Sequence, residues 1–149
     1  MGPKPREVVA DVDLFRMELV NLIDQRHELV KLAGLIEWPA FIEAWGPKFE
    51  SATGRPALDT RLMAALLYLK HAYNESDESV VVRWSQDVYF QFFSGQVYFE
   101  PRVPCDDSQI GRFRQVLGEA GVEQLLKTTI EAAVDMGTIK RSEFERVIG

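Results

Sequence analysis

Apolar positions recur at helical spacing along most of this chain. From Val12 to about Asp24, Leu14, Phe15, Leu19, Leu22 and Ile23 fall on one face of a predicted helix. The pattern breaks near Asp24–Arg26 and resumes from His27 to Gly34 with Leu29, Val30, Leu32 and Ala33. Trp38, Phe41, Ile42 and Trp45 predict a short amphipathic turn with Pro39 at its first helical position, closed by Gly46-Pro47. Lys48 to Pro56 reads as a loop. The strongest pattern runs from Leu58 to Tyr73, where Leu58, Leu62, Leu66, Leu69 and Tyr73 share a face that Met63, Ala65 and Leu67 widen. So broad an apolar surface predicts a helix near the middle of the domain, ended by Asn74.

The second half is punctuated by caps. Ser76, followed by Asp77 and Glu78, predicts a helix to Trp84, because a hydroxyl and acidic groups suit the positive end of the helix dipole. Asp87 predicts a cap for a short helix with Tyr89, Phe90, Phe92 and Phe93. Ser94 to Val103 reads as a loop with an extended piece at Val97–Phe99. Asp106 or Asp107 caps a helix from Ser108 to Leu117, with Ile110, Phe113, Val116 and Leu117 toward the core. Gly118 and Gly121 predict a tight joint before a last helix lined by Val122, Leu125, Leu126, Thr129, Ala133 and Met136 and ended by Gly137. No segment reads as a sheet. The expected fold is all-α, a compact bundle of about six or seven helices. A loose arm is expected over 1–11, the helical domain over 12–137, and a lead-in over 138–149.

Composition narrows the function. The chain has 149 residues, the size of one domain, and 46% of them are hydrophobic, enough for a core. No run of about 18 apolar residues points to a membrane span, and the N-terminus lacks the apolar stretch of a signal peptide. Cys105 is the single cysteine, so no internal disulfide forms. These features are those expected of a cytoplasmic bacterial protein, nucleoid-associated if it binds DNA. The net charge of −6 argues against a chain that grips DNA over its whole surface. Basic residues are nevertheless grouped: Arg55, Arg61 and Lys70 against Asp59, and Arg102, Arg112 and Arg114 against Asp106 and Asp107. Any nucleic-acid face is therefore local.

The segment from Asp106 to Arg114 carries the best candidate chemistry. It combines a capped helix start with Ser108, Gln109, Arg112 and Arg114 on the polar side and an apolar back. A helix that reads a major groove needs this arrangement, since arginine pairs bidentately with guanine edges and glutamine with adenine. Arg102 joins the group from the preceding loop. Arg55 and Arg61 flank the start of the central helix, where free amides favour a phosphate. The bland alternatives are a solvated amphipathic helix and an arginine that ties down a loop. The cluster Trp84, Tyr89, Phe90 and Phe93 is a candidate subunit interface or core. His27 and His71 lack the spacing of a metal site and each is expected to join two helices by a hydrogen bond. Asp106 and Asp107 read as caps rather than a catalytic pair. No cofactor or metal is expected.

Three segments, in order, resemble the N-terminal region of bacterial insertion-sequence transposases of the DDE type: DLFRMELVNLIDQRHELVKLA (Asp13 to Ala33), GRPALDTRLMAALLYLKH with SDESVVVRW (Gly54 to Trp84), and DDSQIGRFRQVLGEAGVEQLL (Asp106 to Leu126). The resemblance covers about Asp13 to Ile148. It implies a helical region that accompanies a ribonuclease-H-like catalytic domain, in which two aspartates and a glutamate hold Mg²⁺ for strand cleavage and transfer. None of those acidic positions carries over to this chain, because the match ends at KRSEFERVI, before the first. The expectation is a truncated, non-catalytic module that binds the element's terminal repeats as double-stranded DNA. It is expected to form a homodimer or to join full-length transposase. The competing expectation is an interaction protein that dimerises or regulates the full-length enzyme with little DNA affinity of its own.

Overall fold

The computed structural model describes residues 17–53 and 59–135. The arm expected over 1–11, the lead-in over 138–149 and the helix end at Gly137 lie outside the described residues. Within them the fold is all-α, as expected. Its six helices are α1 (Glu28–Leu35), α2 (Trp38–Thr53), α3 (Asp59–Ala72), α4 (Asp77–Trp84), α5 (Val88–Phe93) and α6 (Asp107–Asp135).

α3 is the hub. Every side chain from Met63 to Leu69 is buried, and α2, α4, α5 and α6 all pack on it. A helix apolar around its whole circumference has no water-facing stripe and must be surrounded. It ends in a Schellman motif. Asn74 takes the left-handed conformation (φ 55°), and the Glu75 amide reaches back to the Lys70 carbonyl at 2.8 Å. Ser76 then opens α4 in a reciprocal capping box with Ser79. Asp87 opens α5 by accepting from the amides of Tyr89 and Phe90.

Two expectations about the first half need correction. The helix predicted from Val12 to Asp24 is absent over the described part. There, Glu18 pairs with Tyr98 in an isolated antiparallel bridge, and only Leu19–Asn21 makes a 3-10 turn. Backbone bonds from Leu19 to Val97 and from Phe99 to Met17, each 2.9 Å, overrule the helical period. The extended piece expected at Val97–Phe99 is the other half of this bridge. The break near Asp24 is an Asx turn, in which the Asp24 carboxylate accepts from the Arg26 amide at 2.8 Å.

The second correction concerns α2, which does not stop at Gly46-Pro47 but runs on to Thr53. A proline inside a helix removes one hydrogen bond, to the carbonyl four residues back. Here that residue, Glu43, and Pro47 itself are both exposed, so the orphaned carbonyl is on the solvent side. Phe41 and Trp45 meanwhile pack into the core on the other side.

α6 follows expectation in one detail and refines it in another. Gly118 (φ 73°, ψ 169°) interrupts it, so that residues 107–117 and 119–135 form two arms. Only glycine adopts that conformation freely. A Cβ on Gly121 would lie 3.1 Å from the Leu117 Cβ, so the second glycine lets the arms close against each other.

Candidate nucleic-acid interface

The 107–117 arm is fixed on three sides and open on the fourth. At its start the Gln109 side chain accepts from the Asp106 amide at 2.9 Å, the glutamine half of a capping box. Ile110 (0% exposed) and Phe113 (3%) anchor it in the core. On its flank Arg114 bonds Asp77, the first residue of α4, and Lys70 from α3 meets the same carboxylate oxygen at 2.9 Å. Partial burial opposes charge on Asp77, but the bonds from Arg114 and Lys70 prevail and hold its pKa below the ordinary carboxylate value. The open face carries Ser108, Arg112 and Gln115, all exposed. Their spacing of four and three residues puts them on one helical stripe. Among the described residues no carboxylate pairs with Arg112.

The structure divides the sequence-predicted residues. Ser108 and Arg112 are available to a partner. Gln109 is engaged as a cap, and Arg114 as an interhelical ion pair. Arg102 is exposed but pairs with Glu100 at 2.8 Å. Arg61 is structural. Its guanidinium stacks on Trp38 at 4.1 Å and its Nε donates to the Phe93 carbonyl at 3.1 Å, completing the C-terminus of α5. Burial lowers its pKa to about 10. Gly95 makes room for this side chain: a Cβ there would meet the Arg61 Cδ at 3.0 Å. Arg55 lies outside the described residues. Val116, expected in the core, is 51% exposed instead, because Phe113 and Leu117 already fill the inner face.

The interface candidates are mainly interior. Trp84 (2% exposed), Phe90 (0%) and Phe93 (0%) belong to the core, so their side chains present no surface to a second chain. Half-buried Tyr89 stacks on His27 with ring centroids 3.7 Å apart and accepts from the Asp24 amide. His27 caps α1 by accepting from the Leu29 amide. His71 bonds the Leu67 carbonyl within its own helix and so does not join two helices. The pair α4–α5, joined by a three-residue turn, has the outline of a helix-turn-helix. No residue of α5 is exposed, so α5 cannot serve as the reading helix. Among the described residues no group of three or more His, Cys, Asp or Glu is placed to hold a metal ion.

Sequence reasoning gave no role to three residues. Gln115 completes the open stripe and was legible as the position seven after Ser108. Gln91, fully buried, binds the 94–100 loop through its amide. Arg83 lies over the rings of Tyr73 and Phe90 while pairing with Glu75 and Asp87. A polar residue inside an aromatic run, and an arginine eight after one acid and four before another, were the available signals.

Residues 17–116, which include α1 to α5 and nearly all of the 107–117 arm, match the family model described as "Transposase domain (DUF772)". The chain belongs to this transposase-domain family. It is similar to "Uncharacterized protein ORF8 in nfe locus" of Rhizobium meliloti, with 47% identity over 135 residues. That alignment covers 91% of this chain and 65% of the relative's length. No solved structure matches the transposase domain. No helix among its described residues is long and apolar enough to cross a membrane.

Proposed function

We propose that this transposase domain is a DNA-binding and assembly module that recognises the duplex ends of a mobile element and leaves strand cleavage to acidic groups elsewhere in a transposase. The observation that carries the reading is the Ser108–Arg112–Gln115 stripe, a polar face whose guanidinium has no carboxylate partner among the described residues, on a helix arm held rigidly from behind. A reading helix needs that rigidity, because base discrimination depends on angle as well as reach. Arg112 offers the bidentate donor pair for guanine, and Gln115 a donor and acceptor for adenine. Arg114 supports the arm from the side. Assembly with a second transposase chain is the other half of the proposal. Its apolar candidates are exposed Val82 and Val116 rather than the buried aromatics.

A mobility shift with the element's ends and with scrambled duplex, at two salt concentrations, tests this. Arg112→Ala is expected to cost about 1–3 kcal/mol on the element's ends and to relax sequence preference. If Arg112 only touches phosphate, all duplexes weaken alike and the salt slope falls by roughly one unit. Binding equal to the parent on every duplex means that this stripe is not the DNA face. The interaction-protein reading, a regulator of full-length transposase, then takes its place.

A further inference from the structure

We infer that Lys70 and Arg114 form a seat for one backbone phosphate beside the reading stripe, and that Asp77 occupies this seat in the free protein. The inference rests on the DNA-binding reading and adds a second contact class and its control. Two cations from separate helices, α3 and α6, converge on a single oxygen of Asp77: Lys70 Nζ at 2.9 Å, and Arg114 Nη1. A carboxylate oxygen held this way stands where a phosphate oxygen would stand. Asp77 is also the first residue of α4, whose opening turn favours negative charge of either kind. The trio keeps a net positive charge.

Gly111 borders the trio. It lies next to Arg112, is half-buried, and has no side chain to cover the three groups. A Cβ built there would come within 3.9 Å of Arg114 Nη2 and 4.0 Å of Asp77 Oδ2. The second guanidinium nitrogen and the second carboxylate oxygen are therefore the groups that face this glycine. The side chains of Lys70, Asp77 and Arg114 are 20%, 26% and 34% exposed, neither sealed in the core nor fully in water. Coulombic attraction is stronger there than at an exposed site. A phosphate that enters over Gly111 must displace Asp77, so the carboxylate weakens the grip on any duplex and leaves more of the affinity to base contacts at Arg112.

The test is Asp77→Asn, which keeps shape and removes charge. It is expected to tighten binding to scrambled duplex at low salt. The slope of log affinity against log salt should steepen by up to about 0.9, the increment of one phosphate contact. Glu78→Gln removes the same charge one residue along, on an exposed side chain, and is expected to do much less. The gain should disappear when Lys70→Gln and Arg114→Gln are added. An Asp77→Asn protein that melts normally and binds duplex like the Glu78→Gln control overturns the inference.

Thermal shifts in inorganic phosphate against chloride at matched ionic strength separate the two sources of phosphate. Stabilisation of Asp77→Asn by free phosphate without tighter duplex binding overturns the DNA assignment. Should Asp77→Asn fail to fold, Gly111→Asp and Gly111→Asn ask the same question from beside the trio, where the aspartate alone should weaken duplex binding. Equal binding by those two overturns the seat. Loss of binding in Arg112→Ala, by contrast, concerns only the stripe, so the two proposals fail separately.

Discussion

Replacing Trp84 with alanine is expected to destabilise the protein by about 3–5 kcal/mol, the range for removing a buried aromatic side chain. Its ring is 2% exposed within the main core cluster. The indole N–H donates to the Ser94 hydroxyl at 2.9 Å, which in turn donates to the Phe90 carbonyl at 2.8 Å. Alanine at 84 removes the ring and takes its donor from a buried hydroxyl that keeps only its bond to Phe90. Trp84→Phe also lacks the indole N–H but fills most of the space, so its smaller loss relative to the parent, on the order of 1 kcal/mol, reports the hydrogen bond, and the further loss in Trp84→Ala reports the ring. Urea denaturation at several protein concentrations is the measurement. A core residue shifts the midpoint equally at every concentration, whereas an interface residue shifts it more in concentrated samples. A loss below about 1 kcal/mol would count against Trp84 as a core anchor.

Gln91→Leu is expected to cost on the order of 3 kcal/mol, although it exchanges a polar side chain for an apolar one of similar length inside the core. The reason is where the amide points. Its Nε2 donates to the carbonyls of Trp84 at 2.9 Å and Glu100 at 2.7 Å, and its Oε1 accepts from the Glu100 amide at 2.8 Å. Leucine leaves both backbone groups of Glu100 without these partners, and each such loss costs about 1–3 kcal/mol when buried. Gln91 thereby secures the end of the segment whose Val97 and Phe99 pair with Leu19 and Met17. Amide hydrogen exchange should therefore speed up at Leu19 and Phe99 as well as at Glu100. If exchange at Leu19 is unchanged, the bridge does not depend on this glutamine.

These two residues show what the sequence made legible. Trp84 lay in an aromatic run that announced buried area, but the run could not say whether the area met the same chain or another. Gln91 was marked only as a polar residue inside an aromatic run, which could not give its role, since that depends on backbone groups at 84 and 100. The caps at Ser76 and Asp87, the stop at Asn74 and the central position of α3 are local matters of hydrogen bonding and periodicity, and they were readable. The bridge of Glu18 to Tyr98 joins segments far apart in the chain, and its pairing overruled a helical period that was itself real. Much the same divides the candidate site. That a polar stripe would lie near Ser108 and Arg112 followed from spacing. That Arg114 would turn sideways to Asp77, and Arg61 inward to Trp38, depended on which helices became neighbours.

The corner at Gly118 has a consequence for handedness. Its torsion angles belong to the mirror image of an ordinary extended residue, while a Cβ built there meets nothing within 4 Å. The demand at this point of the chain is thus for chirality alone, not for room. L-alanine has the space but the wrong hand and is expected to cost about 1–3 kcal/mol. D-alanine, introduced by chemical ligation, has the same atoms and the right hand. By narrowing the unfolded ensemble it should stabilise the protein by about 0.4–1 kcal/mol, and thermal melts of the two diastereomers would show the opposite signs. The L side chain meets no neighbour, so its cost would measure the backbone turn that sets one arm of α6 against the other.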